Sequence, residues 1–289
     1  MKASCFLALG LGAAAWTAGA ATTIAPANFG AWGANIGWLN CRGDVANGAV
    51  VGEYVCSGYL WGANVGWIGL GNGTPVNGIQ YQNNAANDCG VNHDGLGNLR
   101  GLAWGANIGW VNFHALGSPK VDLQTGGFSG YLWSANVGWI SLSNAFAQVQ
   151  TEVIRPGVDS DGDGIADAWE RLKFGNLAAA NASTDADGDG ASDVEEYLAD
   201  TNPLDPLSHL RITSFATSPG GSPATIIWTS QESRYYRIEK SDEVFPTLWT
   251  DVGLGLIAPD AGASTTRNFV DDPVSHRFYR IEARKPLSP

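Results

Sequence analysis

Charge is what this chain of 289 residues has least of. Only 15% of it is Asp, Glu, Lys or Arg, against ~25% in an ordinary soluble domain. Sixteen bases against twenty-eight acids leave a formal net charge of −12, without the basic footprint that a nucleic-acid partner requires. The four histidines, His93, His114, His209 and His276, show neither zinc-ligand spacing nor a Ser/His/Asp arrangement. His93-Asp94 lies between Asn92 and Gly95, the setting of a hairpin turn. There is no phosphate loop and no dinucleotide fingerprint. Without a catalytic constellation, we expect a protein that is not an enzyme. No apolar run reaches the ~20 residues of a membrane-spanning helix.

What the chain does have is 38 glycines and twelve tryptophans. Glycine supplies positive φ for tight turns and indole supplies large contact area, so a mainly β fold is expected. Residues 1–20 read as a signal peptide: Lys2 precedes an apolar run from Phe6 to Trp16, and Ala18-Gly19-Ala20 has the small-x-small form of a cleavage site. The mature protein is therefore expected to be exported.

One heptapeptide recurs four times. Trp32-Gly-Ala-Asn-Ile-Gly-Trp38, Trp61-Gly-Ala-Asn-Val-Gly-Trp67, Trp104-Gly-Ala-Asn-Ile-Gly-Trp110 and Trp133-Ser-Ala-Asn-Val-Gly-Trp139 define a repeat domain at 21–150. Odd copies carry Ile and even copies Val, so the domain reads as a doubled two-repeat unit. A three-residue loop centred on Asn would make each tryptophan pair direct cross-strand partners, with Asn in the left-handed conformation. One face of each hairpin is then aromatic and the other aliphatic, and the sheet is expected to close or stack. Eight tryptophans placed identically are expected to form the repeat core. Val121–Gln124 and Phe128–Leu132 should add a further hairpin. Cys41 and Cys56 fall at apolar positions of the repeat. In an exported protein they form either a disulfide or a buried reduced pair, and Cys89 is left odd.

The acidity is local. Between 157 and 208 thirteen acids meet two bases, a net −11. Two twelve-residue stretches there begin Asp159-Ser-Asp-Gly-Asp-Gly and Asp185-Ala-Asp-Gly-Asp-Gly, each with Asp at position nine and Glu at position twelve. A hard cation takes six to eight oxygens. Alternating carboxylates wrap one side of it, a glycine makes the sharp turn, and a final Glu clamps it from the next helix. The ligands expected are Asp159, Asp161, Asp163, Ile165 through its carbonyl, Asp167 and Glu170 for one Ca²⁺. For a second they are Asp185, Asp187, Asp189, Ala191 through its carbonyl, Asp193 and Glu196. Apolar spacing places an exit helix after each loop, whereas Pro156 and Gly157 leave no entry helix. These loops, followed by Ala199-Asp-Thr-Asn-Pro-Leu-Asp-Pro206, resemble the dockerin-like or thrombospondin type 3-like calcium repeats of bacterial secreted proteins. The resemblance implies calcium-dependent folding of an extracellular spacer or docking module.

From 209 to 289 alternation returns, and Tyr236-Arg-Ile-Glu239 recurs as Tyr279-Arg-Ile-Glu282. Five to seven short strands suggest a β-sandwich with those two segments paired. The chain thus reads as a tryptophan-repeat β-sheet domain, a short two-helix calcium module and a C-terminal β-sandwich. The function expected is that of a calcium-binding surface or extracellular matrix protein, non-catalytic, acting in adhesion, polysaccharide contact or self-assembly. A carbohydrate-active enzyme, or its glycan-binding accessory, is the alternative.

Overall fold

The computed structural model describes residues 22–43, 46–218, 223–243, 248–271 and 276–288. The expected signal peptide and most of the Pro219–Pro223 turn lie outside the described residues. The fold is mainly β, with two seven-residue helices, α1 at Asp167–Lys173 and α2 at Asp193–Ala199. No helix among the described residues is long and apolar enough to cross a membrane. The chain packs as two compact units. Of the described residues, one takes in those from 22 to 161 together with 166–177 and the last residues from Leu287, and the other takes in those of 162–165 and 178–286.

In the first unit the four motifs fold as four hairpins: Ile24–Gly33 with Gly37–Asn40, Cys56–Gly62 with Gly66–Asn72, Leu99–Gly105 with Gly109–Asn112, and Tyr131–Ser134 with Gly138–Ser141. Each tryptophan pair faces across its hairpin, as Trp32 does Trp38, and three residues form each loop. Between hairpins the register also repeats. The residue two beyond each second tryptophan pairs with the first tryptophan of the next copy, Asn40 with Trp61, Gly69 with Trp104 and Asn112 with Trp133. Ser141 then pairs with Trp32, which closes the sheet into an eight-stranded antiparallel barrel. Lys120–Val121 and Phe128–Ser129 pair as the further hairpin anticipated upstream of the fourth copy.

The tryptophans are not the core. All eight lie outside the barrel, 38–54% exposed, while their strand neighbours Ala31, Leu39, Leu60, Ile68, Ala103, Val111, Leu132 and Ile140 are buried inside. Strand alternation forces one choice of face for each set, and an eight-stranded barrel has an interior just wide enough for side chains to fill. Eight indoles exceed that space, so they pair on the outer surface instead. Ring centroids are 4.8 Å apart for Trp61–Trp67, 4.7 Å for Trp104–Trp110 and 4.9 Å for Trp133–Trp139.

Interior volume also explains the doubled repeat. Odd hairpins supply the small Ala31 and Ala103 with the larger loop residues Ile36 and Ile108. Even hairpins supply Leu60 and Leu132 with the smaller Val65 and Val137, and all eight are buried. At native packing density a methylene gained at one level is removed at the next.

The loop asparagines differ from expectation too. Positive φ falls on Gly37, Gly66, Gly109 and Gly138, at +73° to +79°, and not on the asparagines. Glycine bears that conformation without strain, which releases each Asn side chain for another task. Asn64 Nδ2 donates to the Ile36 carbonyl at 3.0 Å, Asn107 to Val65 at 3.1 Å, Asn136 to Ile108 at 3.0 Å and Asn35 to Val137 at 3.0 Å. The four bonds run once around the loop end of the barrel and return to their start. Further inside, Cys41 and Cys56 are free thiols beside an apolar cavity of ~30 Å³. Burial pushes both up to about 12, so neither is a nucleophile near neutral pH.

The second unit contains two three-stranded sheets. One orders Ile212–Thr217, Ala224–Thr229 and Ser264–Phe269, and the other Thr250–Asp251, Tyr235–Ser241 and Phe278–Arg284. Their shared core includes Ile226, Trp228, Tyr236, Ile238, Phe269 and Ile281. The recurring segments pair antiparallel, which sets Arg237 opposite Glu282 and Glu239 opposite Arg280. The latter two are buried and joined at 2.6 Å. An Arg-x-Glu order is therefore self-complementary when a strand meets its antiparallel copy.

Candidate metal centre

Both acidic loops adopt one backbone pattern. Gly162 and Gly164 in the first, and Gly188 and Gly190 in the second, have φ of +78°, +94°, +78° and +96°. Two left-handed residues per loop curl the chain so that alternate side chains converge. One carboxylate oxygen from each of Asp159, Asp161 and Asp163 lies within 4.8 Å of the other two, and Asp185, Asp187 and Asp189 are grouped in the same way. Three carboxylates so close repel one another unless a cation lies among them. Position six carries the turn in the loop pattern; Gly162 and Gly188, at position four of both loops, signal a second one.

The position-nine carboxylates have other partners. Asp167 accepts from the Ser160 N–H and hydroxyl, each at 2.7 Å, and from Arg171 at 3.2 Å. Asp193 accepts from the Ala186 N–H at 3.2 Å and from the Thr184 hydroxyl at 2.5 Å. Each thereby ties the start of its exit helix to the second residue of its loop. At position seven, the N–H groups of Ile165 and Ala191 donate to Asp163 and Asp189 at 2.9 and 2.8 Å.

Glu170 and Glu196, at position twelve, are both buried on the first turn of α1 and α2. Of the expected apolar stripes, Ile165, Trp169 and Val194 are buried but Leu172 is exposed. Glu196 Oε1 accepts from the Thr201 hydroxyl at 3.0 Å. Its Oε2, like Oδ2 of Asp187, is buried with no hydrogen-bond partner among the described residues. Burial pushes the Glu196 carboxyl up to about 8, and the charges of Asp187, Asp189 and Asp193 act in the same direction against the Thr201 bond. Burial first, then Asp189 and Asp185, also raises Asp187. A buried oxygen without a donor, facing acids that disfavour its charge, is the environment that a divalent cation relieves. The donor set is all oxygen, which suits Ca²⁺.

Two neighbours of the second loop carry no signal in the loop pattern. Thr201 lies beyond the end of α2, where Asp200 takes a left-handed φ of 58°. His209 Nδ1 lies 2.5 Å from Asp189 Oδ2. With Asp189 and Glu196 these two side chains line a 240 Å³ cavity.

The bacterial TSP3 repeat, a family model, matches residues 159–175 and 185–206, the two loops with their exit helices. No curated protein and no solved structure matches the chain. TSP3 repeats typically bind calcium, and the two Asp clusters have the composition to hold it.

Proposed function

We propose that this is an exported, non-catalytic protein that binds two calcium ions between 157 and 208 and contacts polysaccharide at a cell surface or in an extracellular matrix through its tryptophan barrel. The observation that carries the reading is the placement of the repeat: four aliphatic pairs fill the barrel and four tryptophan pairs face outward. A face of paired, half-exposed indoles with few charges is a contact surface. The acidic module adds a requirement for extracellular calcium, which the TSP3 match and the buried, unpartnered oxygens of Asp187 and Glu196 support.

Calorimetric titration of the mature chain with Ca²⁺ tests the metal half of the proposal; the expected result is two sites, and a flat isotherm removes it. The contact half is tested by incubating the protein with insoluble polysaccharides, pelleting them and analysing the supernatant for soluble sugar. Binding without release of sugar supports the proposal, whereas release that is catalytic in protein favours the carbohydrate-active enzyme.

A further inference from the structure

On the outside of the barrel the four hairpins differ in what covers the second tryptophan. Two residues before the first tryptophan, even copies carry Tyr59 and Tyr131, which meet Trp67 and Trp139 edge to face at 6.1 and 6.2 Å. The third copy carries Leu102 there, and the first carries Gly30. A Cβ at Gly30 would come within 3.0 Å of Trp38 Cζ3 and 3.2 Å of Cε3, so the indole lies directly against glycine backbone. Without a covering side chain, Trp38 is the most exposed of the eight at 54%.

The space left open is a groove of 480 Å³, bordered by Trp38, Phe29 and Phe146 with the amides Asn28, Asn40 and Gln148 between them. That volume lies in the ~300–1,000 Å³ range of small-molecule sites. Phe146 is 89% exposed, and its backbone is set by a tight turn in which Asn144 accepts from the N–H groups of Phe146 and Ala147 at 2.8 and 2.9 Å. Two of the amides are fixed as well. Asn40 Oδ1 accepts from the N–H groups of Arg42 and Gly43 at 2.8 and 3.1 Å, and Asn28 Nδ2 donates to Gln150 at 2.7 Å. Among the described residues, no ionisable side chain lines the groove.

We infer that this groove is a binding subsite for a neutral sugar ring, one segment of an uncharged polysaccharide. A pyranose presents C–H groups on its faces and hydroxyls at its rim. The indole and phenyl faces of Trp38, Phe29 and Phe146 match the former, and the planar amides match the latter, Asn40 through its Nδ2 donors and Asn28 through its Oδ1 acceptor. The fixed amides of Asn28 and Asn40 reduce the ordering cost of binding. An uncharged lining favours a neutral glycan over an acidic one. The inference rests on the polysaccharide reading above and assigns it to one place on a barrel with four comparable faces.

The test is calorimetric titration of the mature, calcium-loaded chain with cellohexaose, maltohexaose, mannohexaose and xylohexaose, with polygalacturonate and decaproline as charged and peptide probes. Gly30→Tyr gives the first copy the covering residue of the second and fourth. The φ of Gly30 is not left-handed, so the variant folds once Trp38 yields a few tenths of an ångström, and a melt verifies it. At least one neutral hexasaccharide is expected to bind, with affinity reduced about tenfold or more by Gly30→Tyr and by Trp38→Ala. Phe146→Ala should weaken binding about three- to tenfold and Trp110→Ala by no more than about twofold. Saccharide binding that survives both Gly30→Tyr and Trp38→Ala overturns the subsite while leaving the contact function in place. Binding of no saccharide, or capture of decaproline alone, overturns both; capture of polygalacturonate alone overturns the neutral-sugar subsite while leaving polysaccharide contact in place.

Discussion

Tryptophan plays opposite parts in the two β regions. Trp228 is wholly buried in the sandwich, against Tyr236 at 5.8 Å, while the eight barrel tryptophans keep 38–54% of their surface in solvent. The residue type is the same, and each strand offers alternate faces in both places. What differs is the room behind the strand. Two facing sheets stand ~10 Å apart, and a gap of that width accepts an indole with Tyr236 and Phe269 around it. A closed eight-stranded ring tapers to a narrow interior, which Ala, Val, Leu and Ile fill in alternating sizes. Burial is thus decided by the space the topology leaves, before the hydrophobicity of the side chain matters.

The largest effect should come from testing that difference directly. Trp228→Ala is expected to cost ~3–5 kcal/mol, and Leu132→Ala in the barrel ~2–5 kcal/mol, since both leave cavities in filled cores. Trp110→Ala removes one half-exposed ring and one stacked pair, and should cost only ~1–2 kcal/mol. Denaturant titration of the three variants ranks them. If Trp110→Ala matched Trp228→Ala, the outer tryptophans would be structural, and their exposure would have to be lost in solution.

Calcium sharpens the comparison from another side, because each acidic loop brings three carboxylates together. Extracellular sites of this kind commonly have Kd near ~10⁻⁴–10⁻³ M. Calcium at about 10 to 100 times Kd would then stabilise by ~1.4–2.7 kcal/mol per site. Adding a chelator should lower the melting transition of the unit that holds 178–286, while near-ultraviolet dichroism from the barrel tryptophans changes little. Glu196→Gln should remove most of the calcium response of the second loop. A melt that does not respond to chelator contradicts the cation dependence of both loops.

The calcium loops, their exit helices, the hairpin registers and the paired Arg-Ile-Glu strands were legible because each depends on residues close in sequence or on an exact copy. The face on which the tryptophans stand was not. Alternation separates indoles from aliphatics but does not say which set is inside, and the answer depended on how many strands closed the ring. His209 escaped notice for a related reason. It reaches Asp189 from twenty residues away, and no spacing rule connects them. Asn tolerates positive φ, but the glycine that follows tolerates it at lower cost and takes it in all four loops.

Those asparagines give the smallest effect and the narrowest test. If barrel closure depends on the interior and the loop ring, and not on the outer tryptophans, removing one member of the ring should be measurable yet mild. Asn64→Ala leaves the Ile36 carbonyl without its donor at a partly exposed position, an expected loss of about 1 kcal/mol. Asn136→Ala should do the same at the Ile108 carbonyl. The two asparagines share no acceptor, so the double variant is expected to lose the sum of the two within ~0.5 kcal/mol. A double loss well above the sum would mean that the four bonds act as one cooperative clasp and that part of the barrel's closure resides in its loops. A loss near zero would assign closure to the aliphatic interior alone, leaving the asparagines, like the tryptophans, free for contact with a partner.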